Sequence, residues 1–168
     1  MPAGVSGELL RTGAGILLFV ATFVGMELVA ALTHRYVMHG PLWCWHRSHH
    51  EPRRGAFERN DLFAVLFAAP SVALVYAALH GHPSLLPVAL GTVAYGAVYV
   101  VFHDGLVHRR LPMPKPAGRY LRRIVQAHHL HHAVHTRDGA VSFGFLRAPE
   151  PRELRRELRR RAARPAGR

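Results

Sequence analysis

The chain has 168 residues, enough for one domain, and its 22 Lys and Arg residues outnumber its 10 Asp and Glu residues. The only cysteine is Cys44, which excludes an internal disulfide and a cysteine-rich zinc or iron–sulfur site. We expect Cys44 to be packed as a small apolar side chain.

Apolar residues are concentrated in three long segments. Residues 14–33 contain one charged residue, Glu27, whereas residues 62–79 and 85–102 contain none. A helix needs about 20 apolar residues to cross a bilayer. The sequence therefore predicts an all-α integral membrane bundle with about three spans, and leaves a fourth open. Pro70 and Pro87 leave a kinked or re-entrant segment open.

The segments also suggest how the chain is organised. Residues 1–12 are predicted to be a short flexible lead, residues 13–150 a single membrane domain, and residues 151–168 an Arg-rich tail. The first span has no early cluster of positive charge and leads directly into a histidine motif. We therefore interpret it as a retained span and not as a cleaved signal peptide.

Basic residues are distributed unevenly between the loops. Lys and Arg are frequent in residues 34–61 and 103–168, but absent from the short loop at residues 80–84. Because short cytoplasmic loops collect Lys and Arg, the two basic regions are predicted to face the cytoplasm and the 80–84 loop the outside. An even number of spans separates the basic regions, so both lie on one face of what we expect to be the inner membrane.

Both basic regions carry paired histidines. Two motifs have the spacing HxxxxH and two the spacing HxxHH, and neutral imidazole is the commonest metal ligand near neutral pH. Ten histidines exceed the needs of one ion and suit two. The candidate ligands are His34, His39, His46, His49, His50, His103, His108, His128, His131 and His132.

The two spacings have different consequences on a helix. In HxxHH the three histidines share one helix face. In HxxxxH the two histidines point in different directions on a straight α-helix. The spacing therefore requires either a bent helix end or two histidines that bind different metal ions. Gly40-Pro41 and Gly105 supply such irregularities.

Acidic residues are expected to accept hydrogen bonds from the outer nitrogens of the ligands. The favoured candidates are Glu27, an intramembrane carboxylate seven residues before His34, and Asp104. The other candidates are Glu51, Glu58 and Asp61. Among the remaining histidines, we expect His80 and His82 to lie across the membrane from the site and His129 on the surface, whereas His135 is an auxiliary ligand or a packed or exposed residue.

Longer motifs give a family resemblance. GMELVAALTHRYVMHG, HHEPRRGAFERND, HDGLVHRR and QAHHLHHAVHTRDGAVSFGFL resemble the bacterial β-carotene 3-hydroxylases, in the fatty acid hydroxylase and sterol desaturase superfamily of membrane di-iron enzymes. The resemblance covers roughly residues 20–155.

The resemblance implies a reaction and its cofactors. It implies O₂-dependent hydroxylation at C3 of β-ionone rings, converting β-carotene to β-cryptoxanthin and then zeaxanthin, and ring-ketolated canthaxanthin toward astaxanthin. It also implies two ferrous ions held by the ten histidines, and electrons from ferredoxin and its reductase. Aromatic residues expected to shape the entry of a lipophilic substrate from the bilayer are Tyr95, Tyr99, Phe102, Phe143 and Phe145.

Other functions remain open at this point. The same motifs suit a fatty acid or sterol hydroxylase or desaturase, and a non-enzymatic membrane metal-binding or transport protein. A transporter would place ionisable residues within its spans, where this sequence has only Glu27. Nucleic acid is not an expected partner, because no aromatic residues are interleaved with the basic tail.

Overall fold

The computed structural model describes residues 3–52 and 55–163, and these residues form helices and connecting loops with no β-strand. The longest connection in the described part of the chain, residues 133–150, joins the last two helices. The α-helices are α1 (Ala3–Leu32), α2 (Trp43–His50), α3 (Asp61–Leu79), α4 (Leu86–Tyr99), α5 (Gly118–His132) and α6 (Pro151–Ala162). A 3₁₀ turn, Pro83–Leu85, precedes α4.

Three helical stretches are long and apolar enough to cross a membrane, as predicted. They are Gly7–Met38, Asp61–Leu79 and Pro83–Val107. Helix α3 continues through Pro70, and Pro87 lies in the first turn of α4, where a missing N–H leaves no bond unmade. Neither proline produces a re-entrant segment. Helix α4 packs against both α1 and α3.

Two π-helical segments extend the first and third spans into the histidine motifs. Thr33–Met38 follows α1, and Val100–Val107 follows α4. The amide of His39 donates to the carbonyl of His34 over 3.0 Å, and the amide of His108 donates to the carbonyl of His103 over 2.8 Å. Because a π-turn closes between residues five apart, it brings each HxxxxH pair onto one face. This is the irregularity that the spacing required.

Two expectations need correction. Residues 3–12, predicted to be a flexible lead, form the beginning of α1, which continues without interruption from Ala3 into the first span. Cys44, predicted to be packed, is exposed. The described part of the Arg-rich tail is helix α6, whose Leu154 is buried against Ile124 and Ala127 of α5. Helix α6 is therefore packed against α5. The division of the chain at residues 12 and 150 otherwise stays a prediction.

Candidate metal centre

All ten predicted ligands come together at one end of the three spans. Five histidines have ligand atoms within 4.8 Å of one another, and four others form a second such group. The first group is His34, His39, His46, His50 and His131, and the second is His49, His108, His128 and His132. His103 adjoins the second group, because its Nε2 lies 2.9 Å from Nε2 of His49.

Each HxxHH motif divides its ligands between the two groups. In α2, His46 and His50 belong to the first group and His49 to the second. Helix α5 does the reverse, giving His131 to the first group, and His128 and His132 to the second. The two helices therefore connect the two groups into one centre.

Backbone carbonyls orient four of the ligands. Because a carbonyl only accepts, the Nδ1 atom facing it carries the proton, and the lone pair of the ring lies on Nε2. Three of the four carbonyls belong to the segment 134–141 that follows α5, and the fourth follows closely. The pairs are His34 with Phe143 (3.1 Å), His39 with Arg137 (2.8 Å), His50 with Val134 (2.7 Å) and His131 with Val141 (2.9 Å).

Side chains orient three further ligands. Nδ1 of His49 donates to Glu58 over 3.2 Å, and Nδ1 of His103 donates to Asp104 over 2.9 Å. Both carboxylates were among the predicted acceptors. The third acceptor is Oδ1 of Asn60, 2.7 Å from Nδ1 of His46. The sequence analysis missed Asn60 because it considered only carboxylates as acceptors. The available signal was an amide side chain directly before the second span.

The Nε2 atoms of the candidate ligands face one another at distances that suit binding to a shared metal ion. Neighbouring Nε2 atoms lie 2.8–3.2 Å apart. Two nitrogens at about 2.1 Å from one ion and at right angles to each other are about 3.0 Å apart. The donor set therefore fits metal ions, and its all-imidazole composition suits iron as well as zinc or copper.

Burial favours the neutral form of five of these imidazoles. It lowers the pKa of His46 to about 3, of His50 to about 4 and of His108 to about 3. Burial also holds the pKa of His128 and His131 well below the ordinary value. The shifts leave the rings in the neutral form that binds metal.

Two other predicted acceptors have different partners. Glu51 forms an exposed ion pair with Arg47, and both carboxylate oxygens of Asp61 accept from Arg110, over 2.6 and 2.8 Å. The pair between Asp61 and Arg110 ties the start of α3 to the segment that follows the third span.

Glu27 was expected to accept from a histidine, and the structure corrects this. Its Oε1 accepts from the backbone amides of Phe145, Leu146 and Arg147, over 2.6, 2.8 and 3.2 Å. Its Oε2 accepts from the Tyr95 hydroxyl over 2.8 Å. The carboxylate thus holds the segment whose Phe143 carbonyl accepts from His34. Glu27 therefore supports the orientation of a candidate ligand only indirectly, through the backbone.

We expect Glu27→Leu to lower the free energy of unfolding by about 3 kcal/mol, because it leaves three partly buried donors, the Tyr95 hydroxyl and the amides of Phe145 and Leu146, without an acceptor. Glu27→Gln keeps one oxygen acceptor and is expected to cost less. Thermal unfolding of both variants in the same lipid would measure the difference. Equal stability of the two variants would show that the amides of residues 145–147 do not depend on this side chain.

The remaining histidines lie outside the centre. His129 and His135 are exposed, and neither belongs to the two ligand groups. This leaves no auxiliary ligand role for His135 in the structure. His80 and His82 are exposed at the opposite end of α3.

An apolar cavity of about 670 Å³ leads to the centre. It runs between α1, α3 and α4, and one end of it reaches His34, His46, His103 and His128. Four of the five predicted entry aromatics line it, namely Tyr95, Tyr99, Phe143 and Phe145. The fifth, Phe102, instead packs against the cluster that α5 forms with α6.

The fold and the site together define a class: a helical membrane protein with a candidate two-metal histidine centre at the end of an apolar cavity. A family model described as fatty acid hydroxylase matches residues 19–148. The chain therefore belongs to the fatty acid hydroxylase family.

Curated relatives from bacteria and plants share most of this chain. A "Beta-carotene hydroxylase" of Pantoea ananas is 51% identical over 152 residues, covering 90% of this chain and 87% of the relative. A "Beta-carotene hydroxylase" of Paracoccus sp. (strain PC1) is 49% identical over 146 residues, covering 86% of this chain and 90% of the relative. The "Beta-carotene 3-hydroxylase 2, chloroplastic" of Arabidopsis thaliana is 39% identical, covering 86% of this chain and 51% of the relative. Within the family, these similarities place the chain among the β-carotene hydroxylases. No solved structure matches the chain.

Proposed function

We propose that this protein is a β-carotene 3-hydroxylase that converts β-carotene to β-cryptoxanthin and then zeaxanthin, and canthaxanthin toward astaxanthin. The observation that carries the proposal is the apolar cavity between the spans, which ends on His34, His46, His103 and His128. The relatives named above are hydroxylases of the same lipophilic substrate. A β-ring that enters from the bilayer meets the histidine centre without crossing water.

The ten histidines would hold two iron ions, five in each group when His103 is counted with the second. Iron bound there supplies the activation of O₂ that insertion into an unactivated C–H bond requires. In the overall reaction one oxygen atom enters the C–H bond, and the other leaves as water, with two electrons and two protons consumed. We propose ferredoxin, reduced by its reductase, as the electron donor.

Residues of this chain position the ring for that reaction. Phe143 stacks edge-on against His34 and His131, and Phe145 lies against His103 and His128. These two aromatic rings line the cavity beside both ligand groups. They exclude water from the centre and limit how a flat ring approaches it, so that one ring carbon is presented for oxidation.

The proposed location is the inner membrane, with the histidine centre on the cytoplasmic face. Native Cys44 is exposed on the histidine side, and Ser84 is exposed in the loop at the other end of the spans. In intact spheroplasts we expect an impermeant maleimide to label Ser84→Cys and to label Cys44 only after permeabilisation. A Cys44→Ser background isolates the first signal. Labelling of both positions from outside would overturn the proposed topology.

Expression in a β-carotene-producing host tests the function itself. We expect β-cryptoxanthin first and zeaxanthin later, and under ¹⁸O₂ each new hydroxyl should carry the label. Feeding canthaxanthin tests the ring-ketolated substrate. Oxygen arriving from water would contradict a monooxygenase. Oxidised fatty acids or sterols without carotenoid products would favour the lipid hydroxylase alternative, and metal uptake without oxidation would favour a transport protein.

A further inference from the structure

The cavity extends far beyond the histidine centre. Along α3 its wall runs from Phe63, near the centre, to Leu79, at the last residue of the helix. Sixteen residues of α-helix correspond to about 24 Å. The hydrocarbon core of a bilayer is about 30 Å thick. The cavity therefore spans most of the thickness that the three helices cross.

The walls of this long cavity offer little to a polar ligand. The hydroxyl of Ser71 donates to the carbonyl of Phe67 on its own helix, over 3.1 Å, and that of Thr92 donates to Ala89, over 2.8 Å. The Tyr95 hydroxyl donates to Glu27. With their donors bound elsewhere, these side chains present mainly carbon to the cavity, which suits an extended hydrocarbon.

The far end of the cavity is open. Tyr76 and Leu79 line it and are 63% and 70% exposed. Tyr76 also stacks on His80 with ring centroids 4.0 Å apart, at the turn that leads into the next span. This end therefore lies near the membrane surface opposite the histidine centre.

We propose that the far part of the cavity, lined by Val75, Tyr76, Leu79 and Val93, binds the unreacted half of a two-ended polyene. This inference rests on the proposed function. It implies that the substrate lies across the bilayer, with only one of its two rings at the histidine centre. A second hydroxylation then requires the product to leave and return reversed. Its hydroxylated end lies by Tyr76 and His80, where interfacial water reaches it.

A tryptophan placed in the far part tests this site. Val75→Trp fills the cavity about 18 Å along α3 from Phe63, whereas Ala73→Trp places the same side chain on an exposed position that does not line the cavity. The ligands are β-carotene and a β-ring polyene of half its length. Induced circular dichroism of each polyene, titrated with metal-loaded protein in nanodiscs, reports binding independently of turnover.

We expect Val75→Trp to raise the Kd for β-carotene about tenfold, which corresponds to about 1.4 kcal/mol, because the indole occupies space that the far half of the polyene needs. The Kd for the half-length polyene should change little, and Ala73→Trp should change neither. Equal shifts for both polyenes in Val75→Trp, or no shift for either, would overturn the proposal. A half-length polyene that fails to bind the wild-type protein would itself show that the far part supplies affinity. Normal β-carotene binding without any hydroxylated product would instead contradict the proposed function.

Discussion

Hydroxylation should fall at least about a hundredfold in His131→Ala, since the loss of a mere orienting partner of a metal ligand already costs 10–100-fold. The His131 ring is fully buried, and its Nε2 lies 3.1 Å from that of His39. Its Nδ1 donates to the Val141 carbonyl. Alanine removes a nitrogen from the five-histidine group and leaves that carbonyl without its donor. Product formation per unit of membrane-inserted protein measures the effect.

Neighbouring histidines on the same stretch of chain provide matched controls. His129 is two residues away and His135 four residues away, and both are exposed. Alanine at either position should leave activity within about twofold of the wild type, as expected for surface substitutions. If His135→Ala proved as damaging as His131→Ala, burial in the ligand group would not distinguish ligands from bystanders.

Purified protein from iron-replete cells should contain close to two iron ions per chain. The expectation follows from the two ligand groups, each with atoms within 4.8 Å of one another. Metal analysis against amino-acid quantitation gives the ratio. Fully active protein with one ion per chain would contradict a two-metal centre.

Selective removal of one group sharpens the same measurement. Replacing His128 and His132 together leaves the five-histidine group with all its members. We expect the iron content to fall from about two to about one, with loss of hydroxylation. The double variant His129→Ala/His135→Ala removes two exposed histidines and should retain both ions. Loss of all iron from the first variant would mean that the groups do not bind independently.

The sequence by itself determined the spans and the identity of the candidate ligands. Uninterrupted apolar runs such as residues 62–79 predict membrane helices, because composition and length decide that outcome locally. The separation of ligands from bystanders followed from helical spacing and from the even number of spans between the two motif regions. The exposed positions of His80, His82 and His129 agree with it.

Only the tertiary structure decided how these residues are arranged. The HxxxxH spacing predicted only some irregularity of the helix, and the structure shows that it is a π-helical segment in both motifs. The division of His46, His49 and His50 between two groups depends on the position of α5. The backbone groups that bond to Glu27 Oε1 and to His34 Nδ1 lie more than 100 residues away in the chain. Backbone carbonyls and amides have no residue type, so no sequence motif announces them as partners. Their roles appear only when folding brings the segment that follows α5 against the first span.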